Sequence, residues 1–232
     1  MLAVVLLLSA SVYAAEITVA AGAGFKKMVT DIAVTCEKDF GVKMNMSFGN
    51  LGQMIAQIKT TGLIDAVIGD SKFFKKSGIE FADKSLIGNG RLVLAWRKGI
   101  VLDSVKDIMT DKVQKIAIPD FKKAIYGIAG TEFLASSGMS DAAKDKLIQV
   151  ATVPQVTSYL VTGEVDAGFS NLTDIQASAD KVGGYIVIDE GYERIDIISG
   201  IIAGHDGTEA AALYKKCIAS DAVKAIAKKH GL

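Results

Sequence analysis

Two short glycine-containing segments have the composition of turns that could bind an anion through their backbone. They are residues 21–25 (AGAGF) and residues 47–52 (SFGNLG), and each precedes a stretch with a helical pattern. Backbone N–H groups at the start of a helix are free to donate, and the helix dipole adds a positive potential there. Glycine also serves ordinary turn geometry, so the two segments leave both interpretations open.

Other chemistries lack the residues they need. The chain has two histidines, His205 and His230, and two cysteines, with no CxxC or HExxH spacing for a metal cation. It has no GxxxxGK[ST] motif, and the GAG run lacks the third glycine of a dinucleotide fingerprint. No serine, histidine and acid form a recognisable triad pattern. The sequence therefore predicts neither an enzyme nor a resident metal or cofactor.

The charge balance argues against a nucleic-acid partner. Lysine plus arginine and aspartate plus glutamate both number 26, so the formal net charge is zero. No basic stripe with interleaved aromatic residues is visible. Half of the 232 residues are hydrophobic, which is enough for a sizeable core in one or two domains.

The first residues have the pattern of a secretory leader. The stretch MLAVVLLLSASVYAA is apolar, too short to span a bilayer, and ends in small residues. We predict a signal peptide over residues 1–14, cleaved after Ala14 or one residue later, although a buried first strand or helix is an alternative. No later segment has 18 consecutive apolar residues, so we expect the mature protein to be soluble. Export without an anchor indicates the periplasm, where we expect a monomer.

The rest of the chain alternates short apolar runs with amphipathic stretches, as an α/β protein does. Helices are predicted over residues 25–40, 51–58, 124–137, 140–147, 154–161 and 208–229. Strands are predicted over residues 17–21, 42–48, 65–68, 92–95, 116–118, 149–152, 166–169 and 185–188, and a long apolar run over 195–203. This order predicts mainly parallel sheets flanked by helices, in which ligands bind beyond the carboxyl ends of the strands.

Several segments resemble, in order, the periplasmic molybdate-binding proteins of ABC importers. The resemblance begins with AAGAGFKKMVTDIAVTCEKDFGVKMNMSFGNLGQMIAQI and continues through LIDAVIGD, GNGRLVLAWRKG, IAIPD and TGEVDAGFSNLTD. It ends with EAAALYKKCIASDAVKAIAKKHG and so covers the whole chain after the leader.

The resemblance implies a two-lobed solute-binding fold with a ligand in the cleft. Each lobe would be a mainly parallel sheet flanked by helices, and two crossover strands would join them. Lobe I would hold residues 15–94 and 200–232, and lobe II residues 95–199. The resemblance also implies a tetrahedral oxyanion as ligand, molybdate or tungstate, and the permease subunits of an ABC importer as partners.

The same resemblance assigns five ligand-binding positions. The family's two serines fall on Gly24 and Asn50, its tyrosine on Asn171, and two backbone N–H donors on Ala124 and Val153. Asparagine amides can replace hydroxyl donors. A rigid set of donors without acceptors favours a fully deprotonated anion.

Three questions stay open at this point. The changed side chains make a different small anion, or a carboxylate or phosphonate solute, the main alternative ligand. An enzyme on the same fold is a more distant alternative. Cys36 and Cys217 could pair in an oxidising compartment, but one sequence does not give their separation.

Overall fold

The computed structural model describes residues 15–232, in which ten strands form two five-stranded sheets. The predicted signal peptide, residues 1–14, lies outside the described residues. We call the first sheet with its helices lobe I, and the second sheet with its helices lobe II.

Lobe I has the strand order β2-β1-β3-β10-β4. Its strands are β1 (Ala15–Gly22), β2 (Val42–Gly49), β3 (Ala66–Asp70), β4 (Phe81–Gly90) and β10 (Ile195–Ile202). Its helices are α1 (Lys26–Phe40), α2 (Leu51–Thr61), α3 (Ser71–Lys76), α8 (Glu209–Ile218) and α9 (Asp221–Lys229), with a short 3-10 turn (Ala23–Phe25) before α1.

Lobe II has the strand order β7-β6-β8-β5-β9. Its strands are β5 (Leu92–Trp96), β6 (Ile116–Pro119), β7 (Leu147–Val150), β8 (Ala167–Asn171) and β9 (Gly184–Ile188). Its helices are α4 (Ile125–Ser136), α5 (Ser140–Lys144), α6 (Val153–Thr162) and α7 (Leu172–Gln176), with a 3-10 turn at Val105–Met109.

The two sheets share one pattern of strand directions. In lobe I only β10 runs against its neighbours β3 and β4. In lobe II only β5 runs against its neighbours β8 and β9. Four of the five described strands in each sheet thus run the same way, and the prediction of an α/β fold with two mainly parallel sheets is confirmed.

The chain passes between the sheets twice. It leaves lobe I between Gly90 and Leu92 and returns between Ile188 and Ile195. Both crossings come a few residues before the boundaries placed at residues 94 and 199, because β5 belongs wholly to the second sheet and β10 wholly to the first. The division into lobes itself stays a prediction.

Local signals explain most helix ends. Gly41 and Gly62 end α1 and α2 in the left-handed conformation, with φ of 69° and 61°, which glycine adopts without strain. Asn50 begins α2 with a reciprocal capping box: its side-chain oxygen accepts from the Gln53 N–H group, and the Gln53 side chain accepts from the Asn50 N–H group, both at 2.9 Å. These caps place the start of α2 at the end of β2, where the sequence predicted a binding turn.

One strand and two α-helices were not predicted from the sequence. The strand β4 reads FADKSLIGNG, and as an edge strand it is mostly only half buried, so its apolar signal is weak. The helices α3 and α7 have six and five residues, too short for an apolar stripe to show.

The two cysteines join α1 to α8 on one side of lobe I. Cys36 and Cys217 form a disulfide with a Cα–Cα distance of 5.4 Å, and both side chains are fully buried. This answers the question that their positions in the sequence left open. Over residues 15–232, no helix combines the length and the apolar character needed to cross a membrane.

Candidate functional site

A small cavity lies between the two lobes, at the carboxyl ends of their strands. Its volume is about 20 Å³, somewhat more than the roughly 10–15 Å³ that one water molecule needs. Both lobes contribute to its lining, which consists of Gly22, Ala23, Gly24, Phe25, Gly49, Asn50, Leu51, Ala124, Ile125, Tyr126, Thr152 and Val153.

Four helices of ten or more residues begin at this cavity. The 3-10 turn leading into α1 contributes Gly24, α2 begins after Asn50, α4 begins after Ala124, and α6 begins at Val153. The first N–H groups of a helix have no partner within it, and the dipole makes this end positive. The convergence produces a cavity with a positive potential made from neutral groups.

The lining residues carry no charged side chain in the part of the chain that the structure describes. Phe25 of lobe I and Tyr126 of lobe II close one side, with ring centroids 6.3 Å apart in an edge-to-face arrangement, and both are almost fully buried. A bound group would therefore be shielded from water and would meet dipoles rather than ions.

Four of the five predicted binding residues line this cavity: Gly24, Asn50, Ala124 and Val153. Val153 is the first residue of α6, so its N–H group is one of the helix donors without an intrahelical partner. The N–H group of Ala124 already donates to the Asp120 carbonyl at 3.1 Å. The unpaired donors of that turn are instead those of the next two residues, Ile125 and Tyr126.

Asn50 uses most of its polar groups within the protein. Its backbone N–H and its side-chain oxygen are both held by Gln53, and its Nδ2 donates to the Ala151 carbonyl of lobe II at 3.1 Å. An amide nitrogen carries two hydrogens, so one hydrogen remains for a ligand.

Asn171, the fifth predicted residue, lies behind Gly24 and is fully buried. Its Nδ2 donates to the Gly24 carbonyl at 3.2 Å, and its side-chain oxygen accepts from the Asp174 N–H group at 2.9 Å. A Cβ on residue 24 would come within 2.7 Å of that Nδ2. The amide therefore occupies the space that a side chain at residue 24 would need.

Tyr126 is the residue that sequence reasoning missed. Its hydroxyl is buried and has no hydrogen-bond partner within residues 15–232. Burial raises the pKa of this phenol well above its ordinary value, so the hydroxyl keeps its proton and can donate. The nearby Asn171 amide offsets part of that shift, but the two groups do not reach hydrogen-bond geometry. The available signal was its place in the first turn of a helix that borders the cleft.

A larger groove adjoins the cavity and shares Ile125 with it. Its volume is about 370 Å³, and it lies between α3, α4 and the second crossing. Its lining is Asp70, Lys72, Phe73, Lys76, Ser77, Phe121, Lys122, Ile125, Ile128, Ala129, Glu132, Glu193, Arg194 and Ile195. The lining of the groove thus combines apolar residues with charged residues of both signs.

Asp70 is a buried acid that lines this groove. Its carboxylate caps α3 by accepting from the Phe73 N–H group at 2.7 Å, and only 8% of the residue is exposed. Burial raises its pKa, while the Phe73 N–H group lowers it. The charge of Asp70 is a minor contribution to the raised pKa of Tyr126, after burial and Tyr192.

Comparison with known families gives a match over almost the whole described chain. The family model of bacterial extracellular solute-binding proteins matches residues 17–232. The molybdate-binding protein ModA of Azotobacter vinelandii is 30% identical over 185 residues, which are 77% of this chain and 73% of that protein. ModA of Escherichia coli is 24% identical over 210 residues, 86% and 82% of the two chains.

Solved structures agree in fold. The periplasmic molybdate-binding protein of Azotobacter vinelandii superposes with a TM-score of 0.81 at 26% identity, covering 93% of this chain and 97% of that one. The sulfate-binding protein SubI of Mycobacterium tuberculosis superposes with a TM-score of 0.77 at 12% identity, covering 94% and 86%. At that identity the second likeness concerns the fold alone.

Proposed function

Since this chain belongs to the family of bacterial extracellular solute-binding proteins, we propose that it binds a tetrahedral oxyanion, molybdate or tungstate, and delivers it to the permease of an ABC importer. The family expected from the sequence is confirmed. Its relatives are solute-binding proteins of transporters, so the prediction that the chain is not an enzyme is confirmed as well.

The observation that carries the proposal is the convergence of four helix N-termini on one small cavity without charged side chains. An anion removed from water must have its oxygens hydrogen-bonded, because an unpaired buried acceptor costs free energy. Backbone N–H groups at helix starts supply such donors from several directions. A tetrahedral ion, with acceptor atoms on every side, matches the directions of these donors, and the cavity must widen from its volume of about 20 Å³ to admit it.

The character of the donors selects among anions. The lining of the cavity, within the described residues, contains no carboxylate that could accept a proton from the ligand. A ligand that must donate a hydrogen bond would leave its own proton unpaired there, so a fully deprotonated oxyanion is favoured.

Individual roles follow from the contacts. We assign backbone donation to Gly24, Val153 and the turn after Ala124, and side-chain donation to the second amide hydrogen of Asn50. To these we add the unpaired hydroxyl of Tyr126. In this assignment Asn171 supports Gly24 through its hydrogen bond and contributes to the ligand shell only through its remaining amide hydrogen.

A second class of ligand is favoured by one observation. The groove of about 370 Å³ meets the cavity at Ile125, and apolar and charged residues line it together. A carboxylate or phosphonate solute could place its anionic head in the cavity and its organic body in the groove once the lobes separate. This is the alternative that the ligand test must distinguish.

Export and delivery complete the proposal. We propose that the mature protein starts near Ala15 and works in the periplasm as a monomer, in accord with the extracellular family to which it belongs. N-terminal sequencing of the protein recovered from periplasm tests this. Retention of Met1 in a membrane fraction would exclude cleavage.

A thermal-shift panel separates the ligand classes. A ligand that binds only the native state raises the melting temperature, and the rise grows with the logarithm of the ratio of ligand concentration to dissociation constant. Molybdate and tungstate should raise it at micromolar concentration, whereas phosphate, acetate and a phosphonate should need far more. A larger rise in melting temperature with a carboxylate or phosphonate would contradict the oxyanion assignment and support the alternative ligand.

A further inference from the structure

Three hydrogen bonds within the chain join the two lobes around the cavity. The Asn50 Nδ2 donates to the Ala151 carbonyl at 3.1 Å, and the Asn171 Nδ2 donates to the Gly24 carbonyl at 3.2 Å. The third runs from the Gly52 N–H group to the Lys123 carbonyl at 3.1 Å. Each bond connects an element of lobe I with an element of lobe II, so opening the cleft must break all three.

The side-chain amides of Asn50 and Asn171 are each oriented by the helix that they cap, independently of the contact between the lobes. Their side-chain oxygens accept from the N–H groups of Gln53 and Asp174, each at 2.9 Å. This holds Nδ2 in the direction of the opposite lobe, so little side-chain entropy is lost when the interlobe bond forms.

Two glycines make the close approach possible. A Cβ on Gly52 would lie 2.9 Å from both Cβ and Cγ of Lys123, and a Cβ on Gly24 would lie 2.7 Å from the Asn171 Nδ2. Such distances are shorter than ordinary contacts, so a side chain at either position would hold the lobes apart. Both glycines lie on the lobe I side and face side chains of lobe II.

A fourth bond lies further from the cavity. The Lys27 ammonium donates to the carbonyl of Ala177, the residue that ends α7. A lysine at the end of a helix also interacts favourably with the dipole. Lys27 is thus a link between α1 and α7, not a ligand group.

From these contacts we propose that Asn50, Gly52 and Asn171 form an interlobe clasp that stabilises the closed form without any contribution from the ligand. The inference rests on the proposed function. A hydrogen bond of this kind shifts an equilibrium by about two- to tenfold. Because the closed form is the one that surrounds the ligand, the clasp raises the fraction of closed protein, and the apparent dissociation constant falls in proportion to that fraction.

The clasp can be tested in ligand-free protein by small-angle scattering of the full mature chain. Asn50→Ser keeps a helix cap and a hydroxyl donor, but its side chain is too short to cap Gln53 and reach Ala151 as well. Gly52→Ala adds the Cβ that meets Lys123 and improves helix propensity, so folding is preserved. The matched control is Gly207→Ala, whose Cβ would have open space around it.

The clasp predicts that wild type and Gly207→Ala share one small radius of gyration, and that both cleft variants have a larger one. In addition, both cleft variants should release molybdate about two- to tenfold faster. Identical scattering curves for all four ligand-free proteins would overturn the clasp. A wild type that ignores molybdate would overturn the proposed function instead, and the ligand-free scattering would still decide the clasp.

Discussion

The hydroxyl of Tyr126 in lobe II is seated against Gly90, the last residue of lobe I before the first crossing. A Cβ on residue 90 would lie 2.3 Å from the hydroxyl oxygen, so no residue other than glycine leaves the phenol in place. The ring of Tyr126 packs edge to face on Phe25, and its hydroxyl stays without a partner among residues 15–232. The crossing between the lobes thus fixes the position of one candidate ligand donor.

Replacing Tyr126 by phenylalanine should have opposite effects on stability and binding. Without ligand, loss of a buried unpaired hydroxyl should leave the free energy of unfolding unchanged or raise it by about 1 kcal/mol. Affinity for molybdate should fall by roughly tenfold, because one oxyanion oxygen loses its donor. Urea unfolding and calorimetry measure the two quantities, and an unchanged affinity would remove Tyr126 from the site.

Replacing Asn171 by alanine should weaken both folding and binding. The change removes the cap of α7 and the bond to the Gly24 carbonyl, so the free energy of unfolding should fall by about 1–2 kcal/mol. Affinity for molybdate should fall about tenfold or more, since Gly24 loses its support. Asn45→Ala, which removes an exposed amide contact with Glu16, is the control and should change neither quantity measurably. If Asn171→Ala behaves like this control, Asn171 has no role in the site.

Replacing Asp70 by asparagine should strengthen anion binding and stability at neutral pH. Asparagine still caps α3, while the buried charge near the cavity is removed. Molybdate affinity should rise by about two- to tenfold. Glu193→Gln, which removes an exposed carboxylate paired with Lys72, is the control and should change little. Equal or lower affinity in Asp70→Asn would show that the field of Asp70 does not reach the ligand.

The stability of the Asp70→Asn variant should also depend on pH with a defined sign. Burial raises the pKa of Asp70 above its ordinary value of 3.8, so the folded protein binds this proton more tightly than the unfolded chain. The cost of the buried charge is therefore complete above the folded pKa and disappears as the pH falls through it toward 3.8. The stability gain of the variant should be largest near neutral pH and shrink on acidification, as urea unfolding at several pH values would show.

Removing the disulfide should destabilise the fold without changing the site. The double variant Cys36→Ala, Cys217→Ala should unfold with a free energy about 2–4 kcal/mol lower than wild type. Its molybdate affinity at low temperature should be unchanged, because the bridge lies between α1 and α8, away from the residues that line the cavity. Unreduced, unfolded wild type should show no free thiol; labelling of two thiols would contradict the bridge.

The sequence predicted most elements because their signals are local. Apolar runs located the central strands, and Gly41 and Gly62 ended helices as glycines in the left-handed conformation do. The edge strand β4 was missed because half of its side chains face solvent. The order of the segments, compared with a known family, was enough to place four of the five candidate residues on one cavity.

The direction of each side chain could not be predicted in the same way. Asn171 and Gly24 are 147 positions apart, and their hydrogen bond depends on how closely two separately folded sheets approach. The same distance between the sheets determines that the Tyr126 hydroxyl has no hydrogen-bond partner among the described residues and that Asn50 reaches Ala151. Local patterns carry no information on such distances, whereas the structure gives them directly.

Titration calorimetry of the wild-type protein with molybdate tests the central claim most directly. We expect one site per chain with a dissociation constant below about 1 µM, equivalent to a binding free energy beyond about −8 kcal/mol. Tungstate should bind similarly, and sulfate and phosphate at least about tenfold more weakly. No heat of binding with molybdate or tungstate, in protein that unfolds cooperatively, would contradict the assignment of this cavity as an oxyanion site.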